Sequence, residues 1–288
     1  MAEFDDLLST QPEEAPAPEQ PFDKEAWAAQ KKEQREGLYA LADETALGVT
    51  ADPARFAQFL DTQARFDRYS TTNALLVQAQ RPDATRLGDL DYWKQQRVFI
   101  KRDELPNAVL ILTPGKEYER KDGGVGTSMD VKRVYDVSQA ERPRLQSQPR
   151  HADRALVQAI IAASPVPVEG VDRLDDGKDA DFWPADEKIY VQRGMDAPAI
   201  IRAVAREACL AHMGDIDLTF DARAGAYLIC KRFGVDTQGI DLSDVQERFG
   251  GMEARDVRDT LSEERKAAGE ITGRMAEHLP KREVEARA

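Results

Sequence analysis

Apolar side chains recur at helical spacing over most of the chain and alternate with polar ones in a few short runs. The helical spacing predicts helices over residues 24–47, 52–66, 72–80, 88–96, 151–163, 197–212, 220–233 and 253–279. Asp52 followed by Pro53 is typical of a helix start, because aspartate caps free N–H groups and proline fits the first turn.

Three β-rich runs lie in the first half of the chain, at residues 98–101, 108–113 and 131–137, with a glycine-rich turn at 123–126. In the second half, residues 181–183 and 188–192 can pair as a hairpin across 184–187. The expected fold class is α+β, with a small N-terminal α+β domain built on an antiparallel sheet. A mainly helical domain with a β-hairpin follows it.

Proline, charge and periodicity divide the chain into segments. We expect a disordered acidic tail at residues 1–23, a solvated connecting helix at 24–50 and a first domain at 51–141. A polar linker at 142–150 leads to a second domain at 151–250 and a charged C-terminal helix at 251–288. That helix either packs back on its domain or pairs with another protein.

The chain offers no signal for secretion or membrane insertion. Its first residues are acidic where a secretory signal is basic, and no apolar run reaches the roughly 18–20 residues of a membrane span. We therefore expect a cytoplasmic protein with no membrane partner. Cys209 and Cys230 are too few for a disulfide framework and are expected to be buried thiols.

Charge is distributed unevenly along this acidic chain, whose net charge is −13. Residues 51–150 carry 17 basic and 14 acidic side chains, whereas both flanking segments are negative. The positive stretch also contains many aromatic residues, and single-stranded nucleic acid is bound by cations along its phosphates and aromatic rings beneath its bases. Any nucleic-acid site is therefore expected in this stretch, although charge alone more often indicates an ordinary solvated surface.

The candidate DNA-binding residues are side chains with cationic, aromatic or hydrogen-bonding groups around the start of the predicted helix at 72–80 and along the predicted sheet. They are Arg68, Tyr69, Ser70, Asn73, Trp93, Arg97, Lys101, Lys116, Tyr118, Arg120, Lys121, Lys132 and Arg133. Each has a structural alternative, because Ser70 can cap a helix, Tyr69 can pack and Trp93 is more often a core residue than a stacking one.

Two strings carry a family resemblance: FLDTQARFDRYSTTNALLVQAQRPDATRLGDLDYW, from Phe59 to Trp93, and VKRVYDVSQ, from Val131 to Gln139. With Phe56 through Gln139 as a whole, they resemble the N-terminal domain of ArdC-like antirestriction proteins of conjugative elements. The resemblance implies single-stranded DNA as partner, bound without sequence specificity, in proteins that shield DNA entering a cell. Relatives often have a Gly-Glu-Lys turn where this chain has residues 102–106, so one cation is replaced by acidic groups.

The second half resembles the zinc-metallopeptidase-like domain of the same relatives. The H-E-x-x-H motif places two histidines one helical turn apart on a metal, with glutamate activating water. The corresponding residues here are Arg206, Glu207 and Leu210, and Arg223 stands where a third ligand is implied. We therefore expect a vestigial site with no metal, no cofactor and no peptidase activity. Our hypothesis is that both arginines fill the cleft and pair with Glu207.

The expected function is that of a non-catalytic, single-stranded DNA-binding accessory protein of a mobile element. One alternative is a zinc-dependent peptidase with a rebuilt site at Cys209 and His212, helped by Asp215, Asp217 or Cys230. Another is a protein-interaction module that binds no DNA and whose acidic flanks mimic DNA. Metal analysis and oligonucleotide binding distinguish the three.

Overall fold

The computed structural model describes residues 23–119, 123–142 and 151–280, apart from the side chain of residue 176. The predicted acidic tail up to residue 22 and the predicted linker from 143 to 150 lie outside these ranges. Helices and small sheets alternate in the described chain, so the predicted α+β class is confirmed.

The helices and strands have the following bounds. The α-helices are α1 (Lys24–Thr50), α2 (Pro53–Arg65), α3 (Thr71–Gln80), α4 (Leu90–Gln95), α5 (Asp153–Ala163), α6 (Ala197–Met213), α7 (Thr219–Phe233), α8 (Val245–Phe249) and α9 (Ala254–His278). The strands are β1 (Leu87–Gly88), β2 (Val109–Glu119), β3 (Val125–Asp136), β4 (Val168–Val171), β5 (Ala180–Trp183) and β6 (Lys188–Gln192). Short 3₁₀ turns span Arg102–Asn107, Val137–Gln139 and Asp175–Gly177.

The first sheet is antiparallel with the order β1-β3-β2, and β2 and β3 form the predicted hairpin. Helix α3 covers the edge of β2 through two side-chain amides. Asn73 donates to the carbonyl of Leu112 at 2.8 Å and accepts from its N–H at 2.9 Å. Gln80, two turns later, makes the same two bonds with Leu110, both at 2.9 Å. The backbone groups of an edge strand are thus satisfied by side chains of a helix.

The second sheet has the order β4-β6-β5. Strands β5 and β6 pair antiparallel as predicted, whereas β4 pairs parallel to β6 and was not predicted. Strand β4 consists of only four residues, with Glu169 and Gly170 exposed, so it has no alternation of apolar and polar positions that a sequence pattern could reveal.

One hydrophobic core joins elements from both halves of the chain. The ring of Phe56 on α2 lies 5.5 Å from that of Phe220 on α7 and 5.8 Å from that of Phe249 on α8. The division into two domains remains a prediction, but helices from either side of the predicted linker share this core.

Two predicted surface helices take part in the same core. The expectation that residues 24–50 form a solvated helix is wrong for its second half, because Leu38, Ala42 and Ala46 are buried. Arg258 of α9 forms a 2.5 Å ion pair with Asp43 of α1. Helix α9 packs back on the molecule along its length, which is one of the two arrangements expected for it.

The capping prediction for α2 is confirmed. The Asp52 carboxylate accepts from the backbone N–H groups of Ala54 at 2.9 Å and Arg55 at 3.0 Å. Within the described residues, no helix combines the length and the apolar character needed to cross a membrane.

Candidate functional site

The segment from Arg97 to Lys101 carries the clearest candidate surface for nucleic acid. Arg97 lies in the turn that ends α4, with a left-handed φ of 55°, and extended backbone follows it. Val98 and Ile100 pack against a small core around Trp93. Side chains alternate across the extended part, so Phe99 and Lys101 point outward, and Arg97, Phe99 and Lys101 are all exposed. The side chain of Phe99 is 64% exposed, so its ring is not part of the hydrophobic core.

The backbone of this segment is held in place by its neighbour. The N–H of Lys101 donates to the carbonyl of Gln139 at 3.0 Å, and the N–H of Glu141 donates to the carbonyl of Phe99 at 2.9 Å. Sequence analysis found Arg97 and Lys101 but missed Phe99 as a site residue. The signal was present in the alternation of partly buried and exposed residues from 98 to 101.

Trp93 belongs to the core and has no face available to a base. It is 1% exposed, and its Nε1 donates to the carbonyl of Tyr135 at 2.9 Å. Asn73 is equally occupied, since its buried amide holds Leu112 of β2. The structure therefore corrects the assignment of these two side chains to a DNA surface and gives them structural roles.

Three further candidates lie just before α3, and their side chains have different environments. Ser70 caps the helix by accepting from the N–H of Asn73 at 3.3 Å. Tyr69 stacks on Phe66 at 5.5 Å, and burial, followed by the nearby charge of Asp89, raises the pKa of its phenol. Arg68 is exposed and faces a different groove, between α7 and α9.

The β2–β3 hairpin presents Lys116 and Tyr118, which are two residues apart on one strand and both exposed. Tyr118 is 53% exposed and therefore remains a stacking candidate. Arg120 and Lys121 lie outside the described residues.

Lys132 and Arg133 are consecutive on β3 and so point to opposite faces. Lys132 forms a 2.5 Å ion pair with Asp89, and this contact holds the pKa of that carboxyl below its usual range. Arg133 donates to the carbonyl of Leu105 at 2.6 Å, which the hydroxyl of Tyr135 also contacts. Lys132 and Arg133 are therefore both engaged in contacts with neighbouring segments. Because they point to opposite faces of β3, they cannot belong to one binding surface.

The four residues of the predicted vestigial site come together. Arg206, Glu207 and Leu210 on α6 and Arg223 on α7 line one open cavity of about 540 Å³ between the helices and β5. Helix α7 approaches α6 closely because residue 225 is a glycine. A Cβ atom there would lie 2.7 Å from Sγ of Cys209.

Glu207 is 5% exposed and both its carboxylate oxygens are engaged. Oε1 accepts from Nε of Arg206 at 2.6 Å, and Oε2 accepts from the N–H of Phe182 on β5 at 3.0 Å. Arg206 also donates to the carbonyl of Ala180 at 3.0 Å. Arg206 and Glu207 therefore hydrogen-bond to the backbone of β5, at the carbonyl of Ala180 and the N–H of Phe182.

The hypothesis that both arginines pair with Glu207 is half confirmed. Arg206 does so, but Arg223 turns to the loop before α8. It donates to Asp244 at 2.6 Å and lies 4.0 Å from the carboxylate of Asp241. Its guanidinium also covers the ring of Phe220 at 5.5 Å.

The cavity side chains do not fit a catalytic metal. Arginine and leucine supply no donor at the two histidine positions, and the carboxylate of Glu207 is already held by Arg206. Among the described residues, no group of three or more His, Cys, Asp or Glu side chains lies close enough to hold a metal ion.

The alternative site at Cys209 and His212 therefore lacks ligands in the described chain. Cys209 and Cys230 are buried, and burial raises the pKa of both thiols, that of Cys230 to about 12. A protonated thiol is a poor metal ligand.

No model of a known protein family matches the chain, and no curated protein matches it. Among solved structures, the Mn(II)-bound crystal structure of antirestriction protein ArdC from plasmid R388 aligns with a TM-score of 0.50. The alignment covers 73% of this chain and 84% of ArdC at 15% identity. The chain has the fold of ArdC. A metal-free crystal structure of the same ArdC aligns with a TM-score of 0.47 at 16% identity, over 74% of this chain and 87% of that one.

The ArdC fold agrees with the family resemblance that the two strings indicated. At 15% identity the similarity concerns the arrangement of helices and strands. It therefore leaves the chemistry of the cleft and of the exposed surfaces to the side chains described above.

Proposed function

We propose that this chain is an antirestriction protein of the ArdC type, carried by a mobile element, that binds single-stranded DNA without sequence preference. The observation that carries the proposal is the row of exposed side chains Arg97, Phe99 and Lys101. Arg97 is held by the turn that ends α4, and the backbone of Phe99 and Lys101 bonds to Glu141 and Gln139. The ArdC fold supports it, because the solved protein with that fold is an antirestriction protein.

The chemistry of this row suits an unpaired strand. A base stacked on the ring of Phe99 gains about 1–3 kcal/mol whatever its identity. Cations on both sides of the ring can reach the flanking phosphates and release their counterions. A duplex keeps its bases stacked on each other and cannot use the ring, so the site favours single strands.

Fluorescence anisotropy with labelled oligo-dT and the full chain tests the proposal. We expect an affinity that falls steeply with salt and is similar for mixed-sequence oligonucleotides. Phe99→Ala should weaken binding by about tenfold or more, the equivalent of one lost stacking contact. Trp183→Ala is the matched control, because Trp183 is also an exposed aromatic residue, at 46%, but lies on β5 in the second sheet.

Two results would count against the proposal. Wild-type protein that binds no oligonucleotide at low salt would reject DNA binding altogether. Equal losses for Phe99→Ala and Trp183→Ala would reject the row from Arg97 to Lys101 as the site.

We further propose that the second half has no peptidase activity. One solved ArdC structure is Mn(II)-bound, whereas the cleft here offers Arg206, Leu210 and Arg223 around a single engaged carboxylate. Titration calorimetry with Mn²⁺ and Zn²⁺ should show no stoichiometric binding, and protein washed with chelator should keep its melting temperature. A tightly bound equivalent of either metal would revive the enzymatic alternative.

A further inference from the structure

A second basic surface lies where the loop before α3, the end of α7 and the last turns of α9 meet. It is a groove of about 660 Å³, here called the α7–α9 groove. Its cationic side chains are Arg68 from the loop, Arg232 from α7 and Arg265, Lys266 and Arg274 from α9. Arg68 lies 164 positions before Arg232 and 206 before Arg274, which is why no local pattern brings them together.

The floor of the groove is the surface of α9 itself. Gly269 and Gly273 are one turn apart and both line it, and an added Cβ at either position would meet no atom within 4 Å. Because glycine has no side chain, the backbone of α9 at Gly269 and Gly273 is accessible from the groove, between the cations that line it. A ligand can therefore lie along the helix instead of resting on long side chains.

Charge in the groove is only partly balanced within the molecule. Its carboxylates are those of Asp67, Glu270 and Glu277, and Asp67 already pairs with Arg232 at 2.9 Å. Lys266 pairs with Glu263, the residue one turn before it, at 3.5 Å. Arg68 and Arg274 are exposed and form no ion pair with any described residue. The whole chain has a net charge of −13, whereas cations outnumber carboxylates among the side chains that line this groove. Close cations repel each other, and a bound polyanion removes that repulsion.

We propose that the α7–α9 groove is a second site that holds phosphates of single-stranded DNA. This inference rests on the proposed function. Arg265 supports it, because its guanidinium donates to the carbonyl of Asp67 at 2.8 Å and so fixes the loop that carries Arg68 against α9. The loop cation and the helix cations are therefore held at one site, as contact with successive phosphates requires.

A helix of a second copy is the competing occupant, since small residues at Gly269 and Gly273 permit close helix packing. The cations argue against it. A second copy of this groove would bring its own Arg68 and Arg274 against the first pair, and like charges would face each other.

The test is oligo-dT binding by the full chain with the double substitution Arg68→Ala and Arg274→Ala. Each lost phosphate contact should reduce the slope of log K against log salt by about 0.7 and the affinity at 0.1 M salt about 5-fold. Arg255→Ala is the matched control, because Arg255 is an exposed cation of α9 outside the groove and pairs with Asp259 at 3.8 Å. We expect that variant to bind as the wild type does.

The outcomes separate this inference from the proposed function. If wild-type protein binds oligo-dT but the double variant keeps its affinity and salt slope, the groove is not a DNA site, although the proposed function stands. If wild-type protein binds no oligo-dT, both fail. Sedimentation velocity gives a second readout: a wild-type dimer that Gly273→Leu dissociates would assign the groove to a second copy and overturn the inference.

Discussion

Nε of Arg206 donates a 2.6 Å hydrogen bond to Oε1 of Glu207, the residue that follows it on α6. In the resemblance to the H-E-x-x-H motif, Glu207 corresponds to the glutamate that activates water and Arg206 to the first histidine. The same arginine and glutamate occupy the carbonyl of Ala180 and the N–H of Phe182 on β5. These bonds form a polar network that joins α6 to the second sheet.

Arg206→Ala should therefore lower the free energy of unfolding. It leaves the buried carboxylate of Glu207 without its charged donor, which costs about 1–3 kcal/mol. Urea denaturation measures the loss. Arg193→Ala is the control, because Arg193 pairs with Asp172 on the open surface and such pairs contribute at most about 1 kcal/mol. Equal losses for the two variants would show that the pair in the cleft has no special role.

The placement of Arg206, Glu207 and Leu210 on one cavity could be predicted from sequence because these residues follow helical spacing. Positions 206, 207 and 210 lie within one turn of α6, so the helix alone places them on one cavity. The partner of Arg223 could not be predicted, since it depends on the path of the loop that brings Asp244 to α7. Local periodicity fixes which side chains share a helix face, while long-range packing decides what they meet.

The same limit applies to the candidate DNA surface. The sequence identified the cations Arg97 and Lys101 correctly as exposed residues, but it could not tell them from Lys132 and Arg133, which are engaged with other segments. It also placed Arg68 near the start of α3 without its neighbours in the α7–α9 groove. Helix–helix contacts across most of the chain create that groove, and no window of sequence contains them.

Asn73→Ala is expected to destabilise the protein without a specific effect on DNA affinity. The substitution removes both amide bonds to the backbone of Leu112 and leaves a buried N–H and C=O unpaired, which costs roughly 2–4 kcal/mol. Thermal unfolding and oligo-dT anisotropy, the latter well below the melting temperature, measure the two effects. Gln95→Ala serves as control, because Gln95 is an exposed amide on α4. If the Asn73→Ala variant has normal stability but loses DNA binding, Asn73 contacts DNA and the structural role proposed for it is wrong.

Gly225→Ala tests the contact between α6 and α7. The new Cβ would lie 2.7 Å from Sγ of Cys209 and 3.3 Å from its Cβ, so the helices must separate at a cost of about 1–3 kcal/mol. Combining it with Cys209→Ala removes the clashing sulfur. The double variant should then lose less stability than the sum of the two single variants, by chemical denaturation. Strictly additive losses would contradict the close contact, and Gly48→Ala, where a Cβ meets no atom within 4 Å, is the control.

Glu264 on α9 should make stability depend on pH. It is 1% exposed, and neither carboxylate oxygen has a hydrogen-bond partner among the described residues. Burial, reinforced by the charge of Asp221, raises the pKa of Glu264 well above its ordinary value of 4.5. Arg248 opposes this only in part, because its guanidinium is bound to Asp221 at 2.8 and 2.9 Å.

The sign of the effect follows from proton binding. Above pH 4.5 the unfolded chain releases this proton while the folded chain keeps it, so stability falls as pH rises towards the raised pKa of Glu264. The Glu264→Gln variant has no titrating group at this position, so its free energy of unfolding should not show this decrease with pH. The free energy of unfolding of the variant should therefore rise relative to that of wild type as pH increases. Urea denaturation at pH 5, 6.5 and 8 measures the difference. Glu263→Gln, at an exposed position of the same helix, should follow the wild-type profile. A Glu264→Gln profile parallel to that of wild type would show that the carboxyl is ionised in the folded protein.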